Sequence, residues 1–421
     1  VIIVGLARVA GCAQQDQQGA PPAGSARKPL PQRDALVAGP YPCLLLSKAQ
    51  FEDKRGLDGR PVPVPGYAKL VLWRKTNSGW QSTVIEDPDS NVFHKAMLLT
   101  PTGQPARILT IGGTEALMKR WQWQGTRWTQ ETLWHPTFGG TWNRLRDVEF
   151  GDVTGDGTEE LIVATHDQGV VAVLTRSENG WASTELGRSP RTFVHEIEFG
   201  DIDGDGMNEF FATPSQPNKA SMVSQTGRIV MYRYVAGRFV PSTVDVLHGT
   251  HAKEILFVPR GDGKRASLVA AVEARTALKG GALVTVEPVR IVEYRFKPER
   301  FVTRVVAELN DRQCRFLVSG DVDGDGREEI IASGMNSGIW MLKPAEDGMW
   351  VKTLIDANSG GIEHAVLLVD IDESGRDDIV VASDRQRQLR RYRWTGSGFA
   401  EEVIGPLPDN EITFHIGYGK L

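Results

Sequence analysis

The stretch Asp201-Ile-Asp-Gly-Asp-Gly-Met-Asn-Glu209 puts acids at positions one, three, five and nine, and glycine at position six. Alternate acidic side chains on a tight loop converge on one point, and glycine supplies a turn that a side chain would block. Four carboxylates at such range repel one another unless a cation stands among them. A hard, oxygen-seeking ion such as Ca2+ is the expected occupant, held by Asp201, Asp203, Asp205 and Glu209 with help from the Met207 carbonyl.

The same loop recurs. DVTGDGTEE offers Asp152, Thr154, Asp156 and Glu160; DVDGDGREE offers Asp321, Asp323, Asp325 and Glu329; DIDESGRDD offers Asp370, Asp372, Ser374 and Asp378. Glycine stands at position six of every copy, as Gly157, Gly206, Gly326 and Gly375. The copies start at 152, 201, 321 and 370, so each neighbouring pair lies 49 residues apart, and a worn copy, VPRGDGKRA, fills part of the wide gap at Val258–Ala266. A repeat of ~50 residues means propeller blades or a similar array. Up to four structural Ca2+ sites are expected, strongest at 201–209 and 321–329, where all four acids are kept.

Two further series count the blades. Trp80, Trp128, Trp181, Phe239, Phe301, Trp350 and Phe399 each open a strand after a polar hairpin, and core packing between blades is the reading they favour. Six residues before the first ligand of the intact loops stand Arg146, His195, Arg315 and His364. His94, His251 and His415 extend the series to seven, His94 and His251 in slightly different register. Innermost strands line the axis of a propeller, so these seven are expected to form a basic ring at one end of the central channel, suited to a carboxylate or phosphate. The chain opens with an outer hairpin at Tyr67–Glu86 and ends on a strand carrying His415. The expected fold is therefore all-β, a seven-bladed propeller over 41–421 whose C-terminal strand closes the first blade, with Leu44–Lys48 as its second strand.

The acidic loops, two of them preceded by Phe-Gly (Phe150-Gly151 and Phe199-Gly200), resemble the FG-GAP and VCBS repeat family. The resemblance covers about Tyr67 to Leu421 and implies a β-propeller with calcium loops between the first and second strands of its blades. It says little about activity, since adhesion receptors, lectin-like modules and secreted lyases all use such repeats.

The opening VIIVGLARVAGC resembles the lipobox of bacterial lipoproteins, which implies a signal-like segment over 1–12 and lipidation of Cys12. Residues 13–40, rich in Gln, Pro, Ala and Gly, read as a disordered tether. The expected location is the bacterial cell envelope or the extracellular side, with membrane contact only through the lipid. Cys43 and Cys314 are expected to be two buried thiols. The net charge of −5 and the absence of a basic block argue against a nucleic-acid partner. No G-x-S-x-G, H-E-x-x-H, phosphate loop or C-x-x-C pair signals catalysis. The expectation is a monomeric binding or assembly module for a protein, carbohydrate or small anion. The alternative is a lyase or hydrolase acting on a polysaccharide or other anionic substrate at the channel.

Overall fold

The computed structural model describes residues 41–421 apart from 56–60, 100–104, 126, 142, 178–179, 218–222, 260–265, 299 and 346–348. Cys12, the signal-like segment and the tether lie outside the described residues, as does most of the worn loop after Val258. The described chain is all-β and forms seven antiparallel blades, each built on four strands. Six blades run in sequence order from the axis outward. Blade 2 starts at Phe93–Leu99, blade 3 at Leu145–Gly151 and blade 4 at Phe193–Gly200. Blade 5 starts at Ala252–Pro259, blade 6 at Cys314–Gly320 and blade 7 at Val366–Val369.

Blade 1 is composite. Its innermost strand is Glu411–Lys420, which pairs antiparallel with Pro42–Arg55 from Pro42↔Lys420 to Gln50↔Glu411. Ala68–Thr76 and Gly79–Asp87 complete it. The expected second strand, Leu44–Lys48, is the central part of Pro42–Arg55, whose outer half also pairs with Pro61–Pro65. The ion pair of Lys48 with Glu411 at 2.6 Å, both buried, fastens the closure. Closing the ring pairs the inner edge of the first sheet, which would otherwise lie open.

The core lies between the blades. Each of the seven interfaces has its own apolar cluster, and each hairpin aromatic packs in a different one. Trp350 sits between blades 5 and 6, Trp80 between 7 and 1, and Trp181 between 2 and 3. Phe301 sits between 4 and 5, Trp128 between 1 and 2, Phe239 between 3 and 4, and Phe399 between 6 and 7. Cys43 and Cys314 are buried in different clusters as free thiols.

The Phe-Gly pair before the acidic loop also has a packing reason. A Cβ on Gly151 would stand 2.5 Å from the Phe199 ring, and one on Gly200 would stand 2.9 Å from the Phe257 ring. The bare backbone of one blade thus receives the aromatic face of the next.

Candidate functional site

The four acidic loops join the first and second strands of blades 3, 4, 6 and 7. Gly157, Gly206, Gly326 and Gly375 have φ between 82° and 90°, the left-handed region that glycine adopts freely. In each loop the first acid caps the turn. Asp201 accepts from the Gly204 amide at 2.6 Å and the Gly206 amide at 2.8 Å, and Asp152, Asp321 and Asp370 do the equivalent. The acid at position nine is buried and ties loop to strand: Glu160, Glu209, Glu329 and Asp378 accept from the amides of Val153, Ile202, Val322 and Ile371.

The loops differ in what remains for a cation. Carboxylate oxygens of Asp201, Asp203 and Glu209 lie within 4.8 Å of one another, as do those of Asp321, Asp323 and Asp325. Asp323 Oδ1 and Glu329 Oε1 are buried without a hydrogen-bond donor, which suits a hard cation. Each of these loops also has a basic residue from the third strand of its blade at hand. Arg233 Nε reaches Glu209 at 2.9 Å and its Nη2 reaches Asp203 at 2.5 Å. Lys343 Nζ pairs with Asp323 and stands 2.7 Å from Asp325.

At 370–378, Arg391 already bonds Asp372 and Asp378, and Lys75 takes Asp372 as well. At 152–160 the amide bonds are those of the other loops, but Thr154 stands where they have an acid and donates to Glu160, so no third carboxylate joins the cluster. The residues that fit a cation best are therefore those at 201–209 and 321–329.

Six of the seven inner strands share a structural feature, a bulge near the start of the strand, and much of the basic series sits there; the inner strand of blade 7 pairs without one. The ladder skips His94 in blade 2, Arg146 in blade 3, His195 with Glu196 in blade 4, and Arg315 in blade 6. In blade 5 the skipped residue is Lys253, not His251, and in blade 1 it is Phe414, not His415. Sequence spacing alone placed His251 and His415 because a worn loop and a missing loop leave no first ligand to count from.

One end of the channel gathers His94, Arg146, His195, His251 and Arg315, together with His166, Arg144 and Lys253. Ring centroids run 6.1 Å from His94 to His166, 5.5 Å from His166 to His195 and 5.3 Å from His195 to His251. His166 follows the second strand of blade 3 and stacks on Phe193 at 4.3 Å. Its amide donates to the Arg144 carbonyl as those of Gly113, Glu273 and Met335 do to Val92, His251 and Gln313, so the backbone position repeats, but the histidine does not and no sequence signal marked it. Lys253 Nζ donates to the His195 ring at 3.1 Å, and His195 Nε2 meets Ser215 Oγ at 2.9 Å. His94 Nδ1 bonds the Leu145 carbonyl at 2.6 Å.

Burial holds all four imidazoles well below the usual histidine range, and neighbouring cations add to it: Arg146 for His94, Arg144 for His166, Lys253 for His195 and His251. Burial, then Arg315, pushes the Lys253 amine well down too. Arg315 is spent on an ion pair with Glu363.

His364 stands apart. Its ring lies between blades 6 and 7, with Nδ1 on the Gly334 carbonyl at 2.7 Å and Nε2 on Ser359 Oγ at 2.8 Å. His415 lies one position deeper in the channel, near Lys95 and Asp147.

Just inside the mouth the lining turns acidic. Asp147 and Glu149 of blade 3, Glu196 and Glu198 of blade 4 and Glu254 of blade 5 surround Lys95 of blade 2. Glu254 feels both Lys95 and Asp147, and in a seven-bladed ring only the axis brings blades 2 and 5 together. Lys95 Nζ lies 3.1 Å from Asp147 and pairs with Glu149. Burial, reinforced by neighbouring carboxylates, pushes Glu196, Glu198 and Glu254 well up. Burial works against the Asp147 carboxyl too, but Lys95 and hydrogen bonds from Glu196 and the Ile197 amide outweigh it and lower it.

Residues 152–212 match the family model of the FG-GAP-like repeat. Together with the seven blades, that supports a place among the repeat-built β-propellers. No curated protein matches the chain in sequence. Among solved structures, a lectin of Agrocybe aegerita, described as recognising non-reducing terminal N-acetylglucosamine, is 13% identical with a TM-score of 0.52, over 92% of this chain and 98% of that one. A putative 6-phosphogluconolactonase from Bacteroides uniformis is 11% identical with a TM-score of 0.54, over 90% of this chain and all of the other. At such identities the likeness is one of fold.

Proposed function

We propose that the chain is a binding module that takes a small anionic group, a carboxylate or phosphate, at the basic mouth of its channel, with Ca2+ at 201–209 and 321–329 as scaffold. One observation carries the reading. Half-buried Arg146 makes no hydrogen bond or ion pair among the described residues; His166 beside it and His251 on the far side of His195, 9% and 6% exposed, have no partner on either ring nitrogen. Buried polar groups are ordinarily satisfied, so two orphaned imidazoles at the end of the channel that also holds an unpaired guanidinium ask for a ligand. An anion there would accept one N–H from each neutral imidazole and a charge-assisted pair from the guanidinium. Attachment of a monomeric module to a bacterial envelope through Cys12 is part of the same proposal, as the sequence alone supports it.

Isothermal titration with acetate and with inorganic phosphate tests the mouth. Arg146→Ala is expected to weaken binding of either by at least tenfold. Absence of binding heat and of any thermal shift with both anions would overturn the reading.

A second reading, a lyase or hydrolase on an anionic substrate such as a polysaccharide, is favoured by the Lys253 amine, which lies against His195 and whose hold on a proton burial and Arg315 weaken, as a base requires. Turnover of acidic polysaccharides that disappears in Lys253→Met and His195→Gln would favour it over simple binding.

A further inference from the structure

The mouth of the channel is lined by basic side chains and the waist by acidic ones, and both face the same narrow space. Arg146 and Asp147 are consecutive on one strand, His195 and Glu196 on the next, and Lys253 and Glu254 on the third. Strand rise puts the second acidic row, Glu149 and Glu198, about 10 Å beyond the basic residues.

An anion seated at the mouth therefore has five carboxyl groups ahead of it and one lysine to balance them. Glu254 is buried and makes no hydrogen bond or ion pair among the described residues, although it stands between three blades' worth of charged groups. Asp147 and Glu149 share Lys95, and Glu196 leans on Asp147. Lys95 thus serves two of the five, and burial with no further cation pushes Glu196, Glu198 and Glu254 toward the neutral acid.

We infer that the channel's ligand is a small zwitterion, its carboxylate or phosphate at Arg146, His166 and His251 and its ammonium, a short alkyl chain away, at Glu254 and Glu198. This rests on the anion reading above and extends it. A bare metal ion is the poorer candidate for the waist. Among the described residues, groups of three ligand atoms within bonding reach of one ion occur only in the acidic loops. An ammonium bonds oxygen at about 2.8 Å with three donors, so it tolerates carboxylates spread around the channel wall. A plain anion leaves the waist uncompensated, and a plain cation entering by the mouth meets Arg146 first. Only a ligand carrying both signs answers both rows at once.

Paired probes separate the two claims. Acetate is compared with 4-aminobutyrate, and inorganic phosphate with O-phosphoethanolamine, by isothermal titration against the wild-type chain with Ca2+ present. The ammonium-bearing member of at least one pair is expected to bind ten times tighter or more than its partner, and the pair that gains tells carboxylate from phosphate. The gain is expected to vanish in Glu254→Gln and to shrink in Glu198→Gln, while the anion-only probe binds no more weakly than to the wild type. Equal affinity within both pairs sinks the zwitterion and leaves the anion site standing. No binding by any of the four sinks both. Should either Gln variant fail to fold, the wild-type pair comparison still decides.

Discussion

Replacing His364 by asparagine should flatten the acid limb of the stability curve. The ring is fully buried, accepts or donates at both nitrogens within blade interfaces, and sits at φ 53°, a backbone conformation that asparagine also tolerates. Burial drives its pKa down to about 4, against the partial help of the Gly334 carbonyl. The fold thus prefers neutral imidazole, and the unfolded chain takes the proton first. Stability is then intact above the ordinary histidine value of about 6.5 and is lost as pH falls from there toward about 4. Between about pH 7.5 and about pH 4.5 this one residue costs roughly 2 to 3 kcal/mol. Asparagine loses packing at every pH but has no proton to gain. Urea unfolding of both proteins at the two pH values gives the double difference, in which the other buried histidines cancel. The wild type should lose roughly 2 to 3 kcal/mol more on acidification than His364→Asn. Parallel losses would refute the burial argument for this ring.

Chelation should lower the melting temperature and added Ca2+ restore it. At ~1 mM Ca2+ and a dissociation constant of ~0.1 mM each site contributes about 1.4 kcal/mol. Asp203→Ala and Asp323→Ala should each remove part of that response and Asp372→Ala almost none, because among the described residues three carboxylates converge only in the loops at 201–209 and 321–329. A melting curve indifferent to excess chelator would end the calcium reading. Truncation before Glu411 removes the closing ladder and the buried Ile416, whose burial alone contributes about 2 kcal/mol; a soluble truncation melting like the intact chain would show closure to be dispensable. Gly405→Ala puts a Cβ 2.0 Å from the Trp73 ring between blades 7 and 1 and should cost about 1 to 3 kcal/mol in urea unfolding. An unchanged midpoint would mean that the interface yields.

The fold was legible because it is written seven times. The loop glycines, the hairpin aromatics and the closing strand each mark a position that repeats, and every one of those aromatics found its own interface. The site was legible only where it shares the repeat. Arg146 and His195 could be counted back from a loop, but Lys253 and Phe414 replaced the expected histidines at the bulge where no intact loop fixed the register. His166 stands at a backbone position other blades share with Gly113, Glu273 and Met335, so no repeated side chain pointed to it, and the acidic waist arises from neighbours on three different blades. His364 kept its place in the count, yet its left-handed backbone turns the ring toward Gly334. Side-chain direction is set by such local geometry, which spacing does not carry.

The seating of Phe199 on Gly151 and of Phe257 on Gly200 is a contact between nearest neighbours alone. A whole blade duplicated or deleted in tandem would preserve every such handshake, so the repeats by themselves are indifferent to how many there are. What counts them is the single joint where Glu411–Lys420 must lie flat beside Pro42–Arg55. Gene duplication can lengthen this chain freely, but only a length whose accumulated turn returns the last strand to the first can be inherited as a closed protein.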